Sequence, residues 1–459
     1  MTEEKFYSRF TEKKSSKAEA KNRRREFNRD RDKYFDEKRR GLDKKKQVSF
    51  ETRNVPVDAK IISSFNCFDE KKLPADAVKV LETYDSIVQS VRPMNSRQLA
   101  VLPKDIRTLS HQLTDERESR HVSYMNATEQ LSAYLRYFTW WNLVRLTRVF
   151  ANQKKDAFNL EDGDAVLDIG SGPLTAVTAL WLARPELRGK KLVVYCMDIS
   201  QSTMAAGEEI YLSVAAKARP LDENAEPFWK IIRVKGEMGT GIRKKAKFIC
   251  TANMFNELYQ KDKEAPEKIA DRQIQNLLRY ADEDCSLFIA EPGMPVAGRF
   301  ISLMRERFIR NQFRILSPCP HQGECAMSGL HARYGGSAKW CNFAFSTEGA
   351  PAKLLKLSES AGLPKERAVI SYILAKREKA AAAEKAADTE GTKVAVVSDP
   401  IYLPGNRQGF YSCSERGMVL VLNPYGKNIK SGDILTLSPL TPLDKLEKDR
   451  KSGAPEIKV

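Results

Sequence analysis

The chain has 459 residues, 42 % of them apolar, a net charge of +17 and eight cysteines. Its length and apolar content suffice for about two to four cored domains. No run of about eighteen apolar residues predicts a transmembrane helix, and the charged start, with Glu3, Glu4 and Glu12, fits neither a secretory signal nor a transit peptide. The cysteines are too sparse for a disulfide scaffold, so a bacterial-type cytoplasmic location is expected, and the positive excess calls for an acidic partner, nucleic acid rather than membrane.

Residues 1–50 hold 18 Lys and Arg against 10 Asp and Glu, with Arg23-Arg24-Arg25, Lys38-Arg39-Arg40 and Lys44-Lys45-Lys46 among them. This is a disordered tail or a solvated helix, suited to lie on phosphate or merely to solubilise. Residues 51–160 read as a helical domain. Ala75–Val91, Leu102–Leu113 and the stretch from Leu131 to Leu146 place apolar residues three and four apart. Arg117, Arg120, His121, Arg136, Arg145 and Arg148 lie here among Tyr134, Tyr137, Trp140 and Trp141. The Trp pair is expected to be a buried stripe of the bundle.

From Asp164 short apolar strands alternate with helical stretches: Ala165–Ile169, Leu192–Met197, Trp229–Val234, Phe248–Ala252, Ser286–Ala290, Phe313–Leu316 and, later, Ala368–Ala375. The alternation predicts a parallel, doubly wound α/β sheet over 161–318 and 346–377, interrupted by a cysteine-rich loop at 319–345. Residues 378–392, rich in Ala, Glu and Lys, read as a linker or insertion. Residues 393–459 read as a small β-rich piece with a hairpin turn at Arg416-Gly417 and a charged end, Leu443–Val459, expected to fray.

The first strand runs into Asp168-Ile-Gly170-Ser-Gly172-Pro, a glycine turn before a helix. Glycines let a ligand approach the backbone, and the helix start offers free N–H groups. Asp198 ends the second strand, where a carboxylate can accept both ribose hydroxyls. An acid two residues before the first glycine, with Thr175 where a dinucleotide fingerprint has its third, favours S-adenosylmethionine. The expected cofactor residues are Asp168, Gly170, Gly172, Asp198 and Asn253. Leu174 stands where many methyltransferases place a further glycine, and a sheet that has lost its ligand is the bland alternative. The fourth strand ends Asn253-Met-Phe-Asn256-Glu257, without the Asn/Asp-Pro-Pro-aromatic turn of amino-methylating enzymes. No Pro-Cys pair offers a thiolate to attack a pyrimidine. No catalytic residue is legible.

Cys319, Cys325 and Cys341 follow the sixth strand, and Cys413 lies in the β-rich piece. Four thiolates could close a zinc site or hold an iron–sulfur cluster, with His321 and His331 as substitute ligands; spacing alone leaves this open. Cys67 stands apart, and Cys196, Cys250 and Cys285, in or beside apolar strands, read as buried thiols.

Several stretches, in order, resemble a methyltransferase-like family of mitochondrial small-ribosomal-subunit assembly factors and their bacterial relatives. They are Tyr124-Met, Ala133-Tyr-Leu-Arg-Tyr-Phe, Leu167-Asp-Ile-Gly-Ser-Gly-Pro, Phe255-Asn-Glu-Leu, Ile289-Ala-Glu-Pro-Gly, Pro318-Cys-Pro-His, Trp340-Cys-Asn-Phe and Tyr411-Ser-Cys. The resemblance spans roughly residues 95–435. It implies a class I S-adenosylmethionine-dependent methyltransferase-like sheet and a [4Fe-4S] cluster on Cys319, Cys325, Cys341 and Cys413. It also implies binding to small-subunit ribosomal RNA in the nascent small ribosomal subunit. The gap between Cys325 and Cys341 is longer than the family's, and Asn342 replaces a common His. The expected protein is a monomer with no membrane contact that binds ribosomal RNA and S-adenosylmethionine. An active RNA methyltransferase and a structural ribosome-associated protein with an empty pocket are the alternatives.

Overall fold

The computed structural model describes residues 56–114, 128–218, 229–258, 264–329, 339–377, 391–403 and 407–459. The basic tail at 1–50, most of the 378–392 segment, Arg117, Arg120, His121, Tyr124 and His331 lie outside these residues.

The first element among the described residues is a strand, β1 (Lys60–Asn66), where only helices were expected. Helices Ala75–Glu82, Tyr84–Val91 and Ser96–Thr114 follow. A helix from Thr128 widens into a π-helical turn over Tyr134–Thr139 and continues as Trp140–Ala151. Strands β2 (Ala165–Ile169), β3 (Val193–Asp198), β4 (Lys230–Lys235), β5 (Ala246–Ala252), β6 (Ala281–Glu291), β7 (Phe313–Ser317), β8 (Phe343–Ser346) and β9 (Arg367–Arg377) come next. They form a sheet ordered β4-β3-β2-β5-β6-β9-β7, with β8 paired to β9. Strands β2 to β6 pair in parallel, and β9 runs antiparallel between β6 and β7. That order, with one reversed strand near one edge, is the class I methyltransferase fold.

Two apolar layers enclose the sheet because its strands alternate. Val166, Cys196, Cys250 and Phe288 pack on one face; Leu167, Met197, Ile249 and Leu287 pack on the other. Helix Thr175–Ala183 is buried at every position, since the N-terminal helices cover the side that would otherwise meet solvent. Trp140 and Trp141 are buried there as expected, donating to Leu81 O and Ser358 Oγ.

The remaining strands are β10 (Thr392–Val396), β11 (Ile401–Leu403), β12 (Arg407–Ser414), β13 (Gly417–Leu422), β14 (Asp433–Ser438) and β15 (Glu456–Lys458). Their sheet runs β1-β14-β10-β12-β13-β15, and the Asp58 and Ala59 amides donate to Lys458 O, closing it into a barrel. β10, β12 and β13 form a meander, β15 lies parallel to β13, and β14 returns to β10. This is OB-fold order, with β1 inserted between the last strands. The expected fraying of Leu443–Val459 is therefore corrected. Ile457 and Val459 are fully buried in the barrel core, and Asp58 Oδ2 accepts from the Lys458 amide. Among the described residues no helix is long and apolar enough to cross a membrane.

Candidate functional site

A cavity of about 460 Å³ opens at the ends of β2, β3 and β5, a size that suits a nucleoside-bearing cofactor. Asp168, Gly170, Gly172, Asp198 and Asn253 all line it. The glycines act differently. A Cβ on Gly170 would stand 2.7 Å from Met254 Cγ, so this glycine admits a neighbour. Gly172 has φ +49° and nothing within 4 Å of an added Cβ, so its backbone faces open space. Leu174 also takes a left-handed conformation, φ 55°, costing about 1–2 kcal/mol. Its side chain is fully buried in the core and does not line the cavity. The missing third glycine therefore leaves the ligand space clear.

Asp198 is held in place by backbone donors, Gly172 N–H to Oδ2 at 2.9 Å and Ser200 N–H to Oδ1 at 2.8 Å. A carboxylate offers about four lone-pair sites, so capacity for two hydroxyls remains. Asp168 is deeper. Its Oδ1 accepts from the Cys250 thiol at 3.4 Å, while Oδ2 is buried with no partner among the described residues. Burial pushes Asp168 up to about 7, helped by the Asp198 charge and opposed by the hydrogen bonds of Cys250 and Ser171. An unfilled buried acceptor on the cavity wall is what a ligand ammonium would satisfy.

A pH dependence follows. Because the folded Asp168 holds its proton up to about 7, against 3.8 ordinarily, its contribution to the stability of the free protein falls as pH rises through that window and is flat above it. A cationic ligand needs the ionised form, so its affinity should rise about tenfold between about pH 6 and 8. Calorimetry with S-adenosylmethionine checks this, and Asp168→Asn should abolish the trend.

Sequence reading missed the far wall. Tyr134, from the π-helical turn, and Asn142 reach the cavity from the helical region, Glu237 and Met238 from the turn after β4, and Gln273 and Asn276 from helix Pro266–Tyr280. Of these only Tyr134 falls in a stretch quoted above, Ala133-Tyr-Leu-Arg-Tyr-Phe; the π-turn there is a feature often found at functional sites, but it shows only in the backbone.

The segment after β5 is closed by an acid from the next strand. Glu291, buried at the end of β6, accepts from Phe255 N–H (2.8 Å), Asn256 N–H (3.2 Å) and Asn256 Nδ2 (2.8 Å). The Glu-Pro-Gly turn thus ties the two strand ends together. Two residues on, Gly293 O accepts from Trp340 Nε1 and Asn342 Nδ2, which flank Cys341.

All four predicted cysteines, Cys319, Cys325, Cys341 and Cys413, line one small cavity between the sheet and the barrel. Cys413 arrives on β12, paired to β10 through Ala395. Arg305 Nε donates to Cys319 Sγ at 3.3 Å, and its Nη2 donates to His321 O. Burial would lower Arg305, but Cys319, Cys325 and Cys413 raise it. Burial and the neighbouring sulfurs push Cys325 up to about 11 and Cys341 well above the ordinary thiol range. His321 lies 3.4 Å from Cys413 Sγ but does not line the cavity. Burial and Arg305 press His321 down to about 4. Among the described residues no three His, Cys, Asp or Glu are grouped to hold a metal ion; the thiols surround a space rather than meet at a point. Cys196, Cys250 and Cys285 are buried in the sheet layers, away from this cavity.

A family model described as mitochondrial small ribosomal subunit Rsm22 matches residues 145–402. The chain belongs to this family. The matched span includes the five cofactor residues and three of the four cysteines, while Cys413 lies beyond it. No match was found among curated proteins. Among solved structures, the Rsm22-family chain is similar to the ribosomal protein L11 methylase of Lactobacillus delbrueckii subsp. bulgaricus at 16 % identity and TM-score 0.25, covering 38 % of this chain and 70 % of that one. It is also similar to an S-adenosylmethionine-dependent methyltransferase of Geobacter sulfurreducens in complex with S-adenosyl-L-homocysteine, at 12 % identity and TM-score 0.29, covering 52 % and 90 %. An rRNA methylase of Streptococcus thermophilus aligns at 9 % identity and TM-score 0.24, covering 49 % and 92 %. The strand order of the sheet itself, rather than these alignments, defines the fold.

Proposed function

We propose that this Rsm22-family protein binds the small ribosomal subunit during assembly, with small-subunit ribosomal RNA as its direct partner and S-adenosylmethionine in the 460 Å³ cavity. The family match supports the ribosomal part. The cofactor part rests on one observation: the cavity gathers all five expected residues around the unpartnered Asp168 oxygen. In this reading Asp198 holds the ribose, the Gly170–Gly172 turn meets the methionine end, and Asp168 neutralises the ammonium. Bound there, the cofactor would supply an electrophilic methyl group. Among the described residues the lining contains no histidine, lysine or cysteine to serve as base or nucleophile, and the Asn256 amide is engaged by Glu291 and Asn253 O. Both facts favour binding over methyl transfer.

The same proposal places a [4Fe-4S] cluster on Cys319, Cys325, Cys341 and Cys413. The donor set is all thiol, it encloses a space, and Arg305 stands ready to offset negative charge at Cys319. These features suit a polynuclear cluster better than a single zinc ion. Four thiolates leave no open coordination position, so the cluster would clamp barrel to sheet.

Asp198→Ala tests the cofactor assignment. It removes a charged acceptor contributing about 1.5–3 kcal/mol, so S-adenosylmethionine should bind about ten- to a hundredfold more weakly. Equal calorimetric affinity in wild type and variant would remove Asp198 from the site, and no binding by either would favour the structural reading.

A further inference from the structure

Of Arg136, Arg145 and Arg148 in the helical region, the first and last find side-chain partners inside the fold. Arg136 donates to Gln89 Oε1 at 2.5 Å and Arg92 O at 2.8 Å. Arg148 pairs with Glu70 and lies 4.4 Å over the Phe345 ring. Arg145 is different. Among the described residues it donates to backbone carbonyls alone, Nε to Trp141 O at 3.4 Å and Nη1 to Val369 O at 3.2 Å. Beside it the Lys365 ammonium lies 5.5 Å from the Trp141 ring centroid and 6.0 Å from that of Tyr137. Among the described residues neither cation has a carboxylate partner.

Two like charges in a half-buried site without a counter-ion are unfavourable, and ring faces and carbonyls repay only part of the cost. Burial, with the Arg145 charge added, presses Lys365 down to about 7. Burial presses Arg145 down to about 10. Both residues are half-buried rather than fully enclosed. The pair also lies on the cofactor side of the molecule. Arg145 shares a helix with Asn142 and Leu146, which line the cavity. Val369 stands at the start of β9, beside the end of β6, where Ser371 pairs with Glu291.

We propose that Arg145 and Lys365 form a phosphate-binding site that receives a backbone phosphodiester of RNA lying beside the cofactor cavity. This rests on the ribosomal RNA reading and gives it a point of contact. One phosphate supplies the missing counter-charge for both cations, with Arg145 presenting fixed donors and Lys365 a mobile one. Free phosphate offers the same chemistry, and the test separates the two.

The test uses the full chain and Lys365→Met, which keeps the aliphatic packing on Tyr137 and Trp141 without the charge. Binding of a short single-stranded RNA is followed across a salt series, and thermal unfolding is followed with and without inorganic phosphate. The expected variant binds RNA about five- to tenfold more weakly at low salt, with a slope of log affinity against log salt reduced by about one. Without phosphate it should be at least as stable as wild type, because a cation beside Arg145 is gone. Phosphate should raise the wild-type midpoint alone. Unchanged affinity and slope in the variant, or a loss of its stability with no phosphate effect in either protein, would make Lys365 a packing residue and overturn the proposal. If wild type binds no RNA, the ribosomal RNA reading fails; a phosphate shift in that case assigns the site to a free anion and overturns the phosphodiester.

Discussion

Cys413→Ser is expected to lose the proposed cluster and loosen the barrel while the cofactor sheet survives. Cys413 is the one thiol of the four contributed by the barrel, and the other three flank β7 and β8 in the sheet half. A metal group bound at a site absent from the unfolded chain adds its binding energy to folding. Removing one thiolate therefore takes away the group and the crosslink together. The barrel has other attachments. Phe68, after β1, stacks on Phe345 at 5.3 Å and meets Phe343 and Tyr372, and the Ala344 amide donates to Ser431 Oγ. Loosening should accordingly be local, with protease cleavage within 391–459 faster by about tenfold, a change of about 1.4 kcal/mol in opening. Calorimetric affinity for S-adenosylmethionine should change less than about twofold. Cys285→Ser, altering a thiol buried in β6, should leave iron and sulfide content unchanged. Full iron or zinc retention in the Cys413 variant would refute the four-cysteine site.

Glu291→Ala should be the most damaging single change near the cofactor cavity. Its carboxylate serves three donors in a buried turn: the Phe255 amide, the Asn256 amide and the Asn256 side chain. Each buried donor left unpaired costs about 1–3 kcal/mol. Even with partial relaxation a loss of about 3–5 kcal/mol is expected in urea unfolding. Asn253 and Met254 precede this turn and line the cavity, so cofactor affinity should fall as well. Glu291→Gln keeps an acceptor oxygen and should lose about half as much. A loss below about 1 kcal/mol with unchanged affinity would mean that the turn is held by other contacts, among them the Asn253 amide bond to Ala290 O.

The glycine turn and the acids around it were legible because they are local. Asp168, Gly170 and Gly172 lie within five consecutive positions, and a strand-turn-helix with an acid at a strand end admits few ligand geometries. The apolar runs of β2, β3 and β5 were legible for the same reason, and they are buried almost throughout because both faces of the sheet are covered. Cys319 and Cys325 shared a loop in the sequence, but their meeting with Cys413 depended on where β12 packs. Glu291 stood out as part of a Glu-Pro-Gly motif, yet its role as acceptor for a turn 35 residues earlier required the pairing of β5 with β6.

Local spacing determined by itself the α/β alternation, the positions of seven core strands along the chain, the cofactor turn and the set of candidate thiols, because each is encoded in neighbouring residues; the order of the strands in the sheet and the reversal of β9 are tertiary. Only the tertiary structure decided what distant segments do together. β1 leaves the helical region because its backbone completes the barrel between β14 and the end of β15. Leu443–Val459, whose charges suggested a loose end, is held because Ile457 and Val459 point into the barrel core. Of three arginines read alike, Arg136 and Arg148 found internal partners while Arg145 came to rest beside Lys365. Charge on the chain says that a cation exists, and packing decides whether it is already neutralised.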